Sequence, residues 1–160
     1  MHDGAGMFDA EALKARIETV FRTHPGPPAI SLRAGNAIDD GEPPPPWDAA
    51  LDAPDASYME CNAWGLPHLD AASWLHYLPI FMCHALDHLP DRDSSIATDA
   101  LLFSLQPPDR DPPRFGSLSS EEQTVVGQFL DLLAFDPRSK WTDQAMTALE
   151  EYWAPGATYR

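Results

Sequence analysis

Positive charge is what this sequence has least of. Ten Lys and Arg stand against 25 Asp and Glu over 160 residues, a formal net charge of −15. Contacts to phosphates need clustered Lys and Arg, so the shortage argues against nucleic acid as a partner. Two cysteines, Cys61 and Cys83, are too few for a disulfide framework and read as plain thiols of a reducing compartment. Pro, Gly or His interrupts every uncharged stretch before it is long enough to cross a bilayer, so no membrane span is expected. The opening MHDGAGMFDAEALKARIE lacks a basic-then-apolar leader. A cytoplasmic location is the resulting expectation.

The motifs of catalysis are also missing. There is no G-x-S-x-G elbow, no G-x-G-x-x-G turn and no phosphate loop. Cys83 follows Met82 within a helical pattern and Cys61 lies among acids, so neither has surroundings that favour a thiolate. The pairs Glu121–Glu122 and Glu150–Glu151 are adjacent in helical sequence, diverge by about 100°, and read as solvated faces. DDGE at 39–42 resembles half a calcium loop without the ligand spacing that would complete it. No cofactor is expected.

What is present is mostly helical pattern. Asp9 can cap a first helix, with Phe8 and Leu13 as a hydrophobic staple and Leu13, Ile17, Val20 and Phe21 as its apolar stripe. A second helix begins at Asp70 and runs to about His88, with Trp74, Leu78, Phe81, Ala85 and Leu89 inward. Pro79 lies inside it, removes one hydrogen bond and predicts a kink, so packing must hold that helix together. Residues 96–108 suit either period and are read as a short helix for want of a partner strand. Ser119 and Glu122 form a capping box, and Val126, Phe129, Leu130 and Leu133 the stripe behind it. A last helix is expected over Thr142–Trp153, with Trp141, Ala145, Leu149 and Tyr152 inward.

Residues 24–69 look different. HPGPP ends the first helix, AISLR at 29–33 reads as a short extended piece, and Pro43–Pro46 as a stiff surface connector. Trp47, Leu51, Tyr58 and Trp64 are too apolar for a free linker. The segment is therefore expected to wrap the core, with a short helix around Trp47–Leu51. The fold class that follows is mainly α, an irregular bundle of about 4–6 helices with a long proline-rich wrapping segment. It forms one helical domain over residues 1–160, with flexible ends at 1–7 and 154–160.

HYLPIFMCHAL (76–86), DALLFSLQPP (99–108), LSSEEQTVVGQFLDLLA (118–134) and ALEEYW (148–153) resemble an uncharacterised bacterial family of domains of unknown function. Its pattern is a Tyr-Leu-Pro helix, a Phe-Ser-Leu-x-Pro-Pro turn and then an acidic-capped helix. The resemblance runs over roughly residues 8–153 and fails over 29–60, where this chain is proline-rich. It implies architecture and transfers no activity.

Two functional readings remain. Residues 34–91 hold ten acids and no Lys or Arg, whereas residues 1–33 balance four acids with four bases. That asymmetry suits a docking surface for a basic protein partner. The reading is a non-enzymatic acidic binding protein, with a bacterial toxin immunity protein as the favoured kind. Asp39, Asp40, Glu42, Asp48, Asp52, Asp55 and Trp47 are its candidate contact residues. The alternative is a small metal-dependent enzyme built on HALDH, where His84 and His88 share one helical face. The motif approximates H-x-x-E-H with Asp87 in place of Glu, and the sequence offers no third ligand. Helical projection groups Tyr77 with the two histidines at the border of the apolar stripe and turns His76 away. That position suits ordinary half-buried histidines.

Overall fold

The computed structural model describes residues 9–22, 27–91 and 93–159. Seven α-helices build it, and the described residues contain no strand. Phe8, and with it the expected staple, lies outside the described residues, as do residues 1–7 and most of HPGPP.

Capping residues set most helix starts. Helix α1 (Ala10–Val20) starts where Asp9 accepts a hydrogen bond from the Ala12 amide at 2.7 Å. Asp55 caps α3 (Ala56–Asn62), Asp70 caps α4 (Ala71–Asp87) and Ser95 caps α5 (Ile96–Ser104), each by accepting from the amide three residues on. At α6 (Ser120–Phe135), Ser119 and Glu122 close the full capping box. Helix α7 (Thr142–Ala148) continues into a π-helical turn, Leu149–Trp153. Beyond it the chain hydrogen-bonds back, Thr158 N to the Glu150 carbonyl and Tyr159 N to that of Glu151.

The proline-rich stretch departs most from expectation. Helix α2 (Leu32–Asp39) starts within the expected extended piece at 29–33 and takes its last two residues, because Ser31 caps it through the Ala34 amide. Conversely, residues 47–51 form a turn and no helix. There the Asp48 side chain takes the Ala50 and Leu51 amides as a cap would, but the chain makes a single turn and goes no further, with Pro54 close behind. After α3 the chain tightens into a 3₁₀ helix, Ala63–His68. The irregular part of this stretch is thus about residues 42–55, and the helices outnumber the expected four to six.

Helix α4 is the centre of the bundle. It packs against α1, α5 and the 3₁₀ segment, while α6 packs against α1 and α7. Trp74, Leu78, Phe81, Ala85 and Leu89 are all at most 1% exposed, so the inward register read from the sequence is the one observed, while Tyr77 and His84, expected at its border, are buried as well. Pro79 sits within a helix that continues on both sides of it. Three indoles are satisfied in the interior: Trp74 Nε1 donates to Ser104 Oγ, Trp141 Nε1 to Asp99 and Trp153 Nε1 to the Leu105 carbonyl. Arg114, 3% exposed, donates to the carbonyls of Pro67 and Leu69 and ties the loop before α6 to the 3₁₀ helix.

Candidate functional site

The seven residues expected to meet a partner divide sharply. Asp52 is fully buried. Its carboxylate accepts from Arg33 Nε at 3.2 Å, Arg33 Nη2 at 3.1 Å, the Tyr58 hydroxyl at 2.7 Å and the Asp48 amide at 2.9 Å. Burial pushes this carboxyl up, and the bonds from Arg33, Tyr58 and Asp48 outweigh that, holding it below its ordinary value. Asp52 is therefore a corner post of the fold and not a surface contact, which corrects the sequence reading. Asp55 is occupied as the α3 cap and Asp48 as the organiser of the 48–51 turn. Trp47 is half-buried.

Because the folded-state value of Asp52 is depressed, its stabilising contribution is present above the unfolded carboxyl range, about pH 4, and is lost as pH falls through the folded value. Urea unfolding at pH 7, 5 and 3 is expected to show little change from 7 to 5 and a clear loss at 3. The Asp52→Asn variant should show a shallower acid limb. An unchanged acid limb in that variant would remove Asp52 from the account.

Asp39, Asp40 and Glu42 are exposed. They cluster at the C-terminal end of α2, where Asp40 is the C-cap and Gly41 turns the chain at φ 73°. No basic residue lies in the last turn of that helix. His68, from the end of the 3₁₀ helix, brings Nε2 to 3.0 Å from Asp39 Oδ1.

Elsewhere, pairing tempers the base-free segment. Arg33 neutralises Asp52, and Lys14 reaches from α1 to Asp87 on α4. Asp87, Glu18, Phe21, Met59, Ile80 and Cys83 line a cleft of about 490 Å³ among α1, α3 and α4. Burial, with Glu18 adding to it, pushes the Cys83 thiol up to about 11, so at neutral pH it stays protonated. Trp64 is 46% exposed and sits edge-on to Phe103, itself 56% exposed, at a centroid separation of 5.8 Å.

At the far end of α4 the two histidines acquire a neighbour that the sequence did not suggest. Glu60 from α3 places Oε2 2.7 Å from His84 Nε2. Its carboxylate also accepts from Ser95 Oγ at 2.6 Å and from the Ile96 and Ala97 amides at 2.8 and 3.3 Å. Glu60 thus covers the positive end of α5 as well as facing His84. Burial raises its carboxyl, and the bonds from Ser95, His84 and Ala97 more than reverse that, leaving it low. The His84 and His88 rings lie 4.2 Å apart, and His88 Nδ1 is 3.0 Å from the His84 carbonyl. Tyr77 turns its hydroxyl to the Leu32 amide, and His76 rests edge-on against the Tyr77 ring. Glu60 lies 24 positions before His84 in a stretch that reads as irregular, so the sequence carried no periodic signal for it.

Residues 9–157 match the model of a family described as "Family of unknown function (DUF6714)". The chain belongs to this family. No curated protein and no solved structure matches it. Membership covers almost every element described above, so the bundle, the acidic α2 end and the Glu60–His84–His88 corner all fall inside the family domain. No described helix is long and apolar enough to cross a membrane.

Proposed function

We propose that this member of the family is a non-enzymatic binding protein that engages a basic protein partner. A bacterial toxin immunity protein working in the cytoplasm is the kind it suits best. The observation that carries the reading is the placement of Asp39, Asp40 and Glu42. A helix C-terminus carries partial negative charge, and each exposed acid placed there costs roughly 0.3–1 kcal/mol that a base would have gained. Three acids at one such end, with His68 opposite Asp39 as the one base paired there among the described residues, are placed against the electrostatics of the fold. A basic partner relieves that repulsion on binding. Function accounts for the arrangement better than stability does, and the overall charge of −15 favours the same sign of partner.

The test is association with a partner captured from the native cell. Asp39→Asn, Asp40→Asn and Glu42→Gln together should slow the on-rate more than they speed dissociation. Binding should also weaken as salt rises, since exposed charges are screened over about 8 Å at physiological ionic strength. The triple variant should keep its fold, exposed replacements changing stability by about 0.5 kcal/mol or less. Indifference to both salt and the triple replacement would make the charge merely solubilising and move the contact to the exposed Trp64–Phe103 pair.

A further inference from the structure

We infer that Glu60, His84 and His88 form a binding site for a divalent first-row transition ion, zinc in the first instance. One ligand atom from each of the three residues lies within 4.8 Å of the others. Two imidazoles and a carboxylate are a donor set that suits zinc and its neighbours in the series and not calcium or magnesium, which take oxygen ligands.

The hydrogen bonds around the cluster fix its ligands. A carbonyl can only accept, so His88 Nδ1 carries the proton it donates to the His84 carbonyl, and the lone pair of neutral His88 is left on Nε2. That is the outer-shell contact that orients a metal-binding histidine. Glu60 is oriented in the same way, by Ser95 Oγ and the two amides at the start of α5. Capping α5 explains Glu60 and the bond to His84, but it leaves His88 Nε2 unexplained. Among the described residues, the acid paired with that nitrogen is Asp91, whose Oδ2 is 4.0 Å away. The neighbouring bases among the described residues are engaged elsewhere, Lys14 with Asp87 and Lys140 with the Asp91 carbonyl. A lone pair beside two carboxylates is an environment for a cation.

His84 is 6% exposed and held in place, whereas the His88 side chain is 27% exposed. His88 is therefore the ligand free to close the remaining gap, toward the roughly 2.0–2.2 Å ligand distances that zinc requires. Binding needs the His84 Nε2 lone pair, so the proton that Nε2 shares with Glu60 is released to solvent from a charged ring or shifts to Nδ1 in a neutral one, and the ion replaces that hydrogen bond with two metal–ligand bonds. With three protein ligands a fourth coordination position stays open.

The experiment is titration of the full chain, purified without an affinity tag and freed of metal by chelation, with ZnCl₂ by calorimetry. CoCl₂ then serves as a probe through its visible absorption. One ion per chain is expected, with a rise in Tm of roughly 5–10 °C at a hundredfold excess over Kd. His88→Ala should weaken binding by at least about tenfold, as should Glu60→Gln, while His68→Ala should leave it unchanged. His88→Ala gives up only one partly exposed ring and is expected to fold, which circular dichroism checks. Absence of saturable one-to-one uptake at millimolar zinc would overturn the site. One-to-one uptake that His88→Ala leaves intact would overturn it equally, by putting the ion elsewhere.

Discussion

Phe81→Ala is expected to lower the free energy of unfolding by about 3–5 kcal/mol, measured by urea or guanidinium titration. Phe81 is 1% exposed and lies on α4, the helix against which α1, α5 and the 3₁₀ segment pack. Its ring stands edge-on to Tyr77 at 6.3 Å and 90°. Truncation removes most of a buried aromatic side chain and leaves a cavity between elements that cannot all move inward together. The cost therefore falls in the upper part of the large-to-small range. The same helix carries His84, five residues after Pro79 and three after Phe81, so loosening it at Phe81 should also weaken whatever the Glu60–His84–His88 corner binds. A loss below about 1 kcal/mol would show that Phe81 is not buried as described.

Gly65→Ala is expected to be nearly as damaging, for a different reason. A Cβ at Gly65 would stand 2.1 Å from the Leu32 carbonyl oxygen and 3.1 Å from the Asn36 amide nitrogen. A Cβ at Gly35 would meet the Gly65 carbonyl oxygen at 2.4 Å. These neighbours are backbone and cannot swing aside, so α2 and the 3₁₀ helix must separate along their whole contact. A loss of about 3 kcal/mol, at the upper end of overpacking costs, is the expected result. Gly127→Ala supplies the contrast. It lies within α6, where the nearest atom to a new Cβ is the Trp153 carbonyl oxygen at 3.6 Å. There alanine should stabilise by roughly 0.5–1 kcal/mol, the ordinary helix-propensity gain over glycine. Equal effects at the two glycines would mean that the close approach of α2 to the 3₁₀ segment does not exist. The pair also bears on the acidic end of α2, because His68 reaches Asp39 only while those two elements touch.

Ser31 and Gly35 show where reading the chain failed. Ser31 is a helix cap, but Gly35 three residues into α2 and the prolines on either side suggest broken structure. The helix survives its glycine because that glycine is the contact: only two residues without Cβ allow backbones this close. Asp52 failed in the opposite sense. Nothing local distinguishes it from Asp48 or Asp55, and only its meeting with Arg33, 19 positions away, takes it inside.

The sequence by itself determined what neighbours within about four positions decide. Asp9, Asp70 and Ser119 began their helices, the stripe from Trp74 to Leu89 faced the core, and the scarcity of Lys and Arg set the sign of the field. Caps and stripes are legible because hydrogen bonds to the first free amides and the 3.6-residue period are local quantities. Tertiary structure alone decided which acids stay in water. It buried Asp52, left Asp39, Asp40 and Glu42 outside, and carried Glu60 across 24 positions to His84. A carboxylate's fate depends on whether a distant partner repays its lost hydration, and that partner is chosen by packing between elements rather than by spacing along the chain.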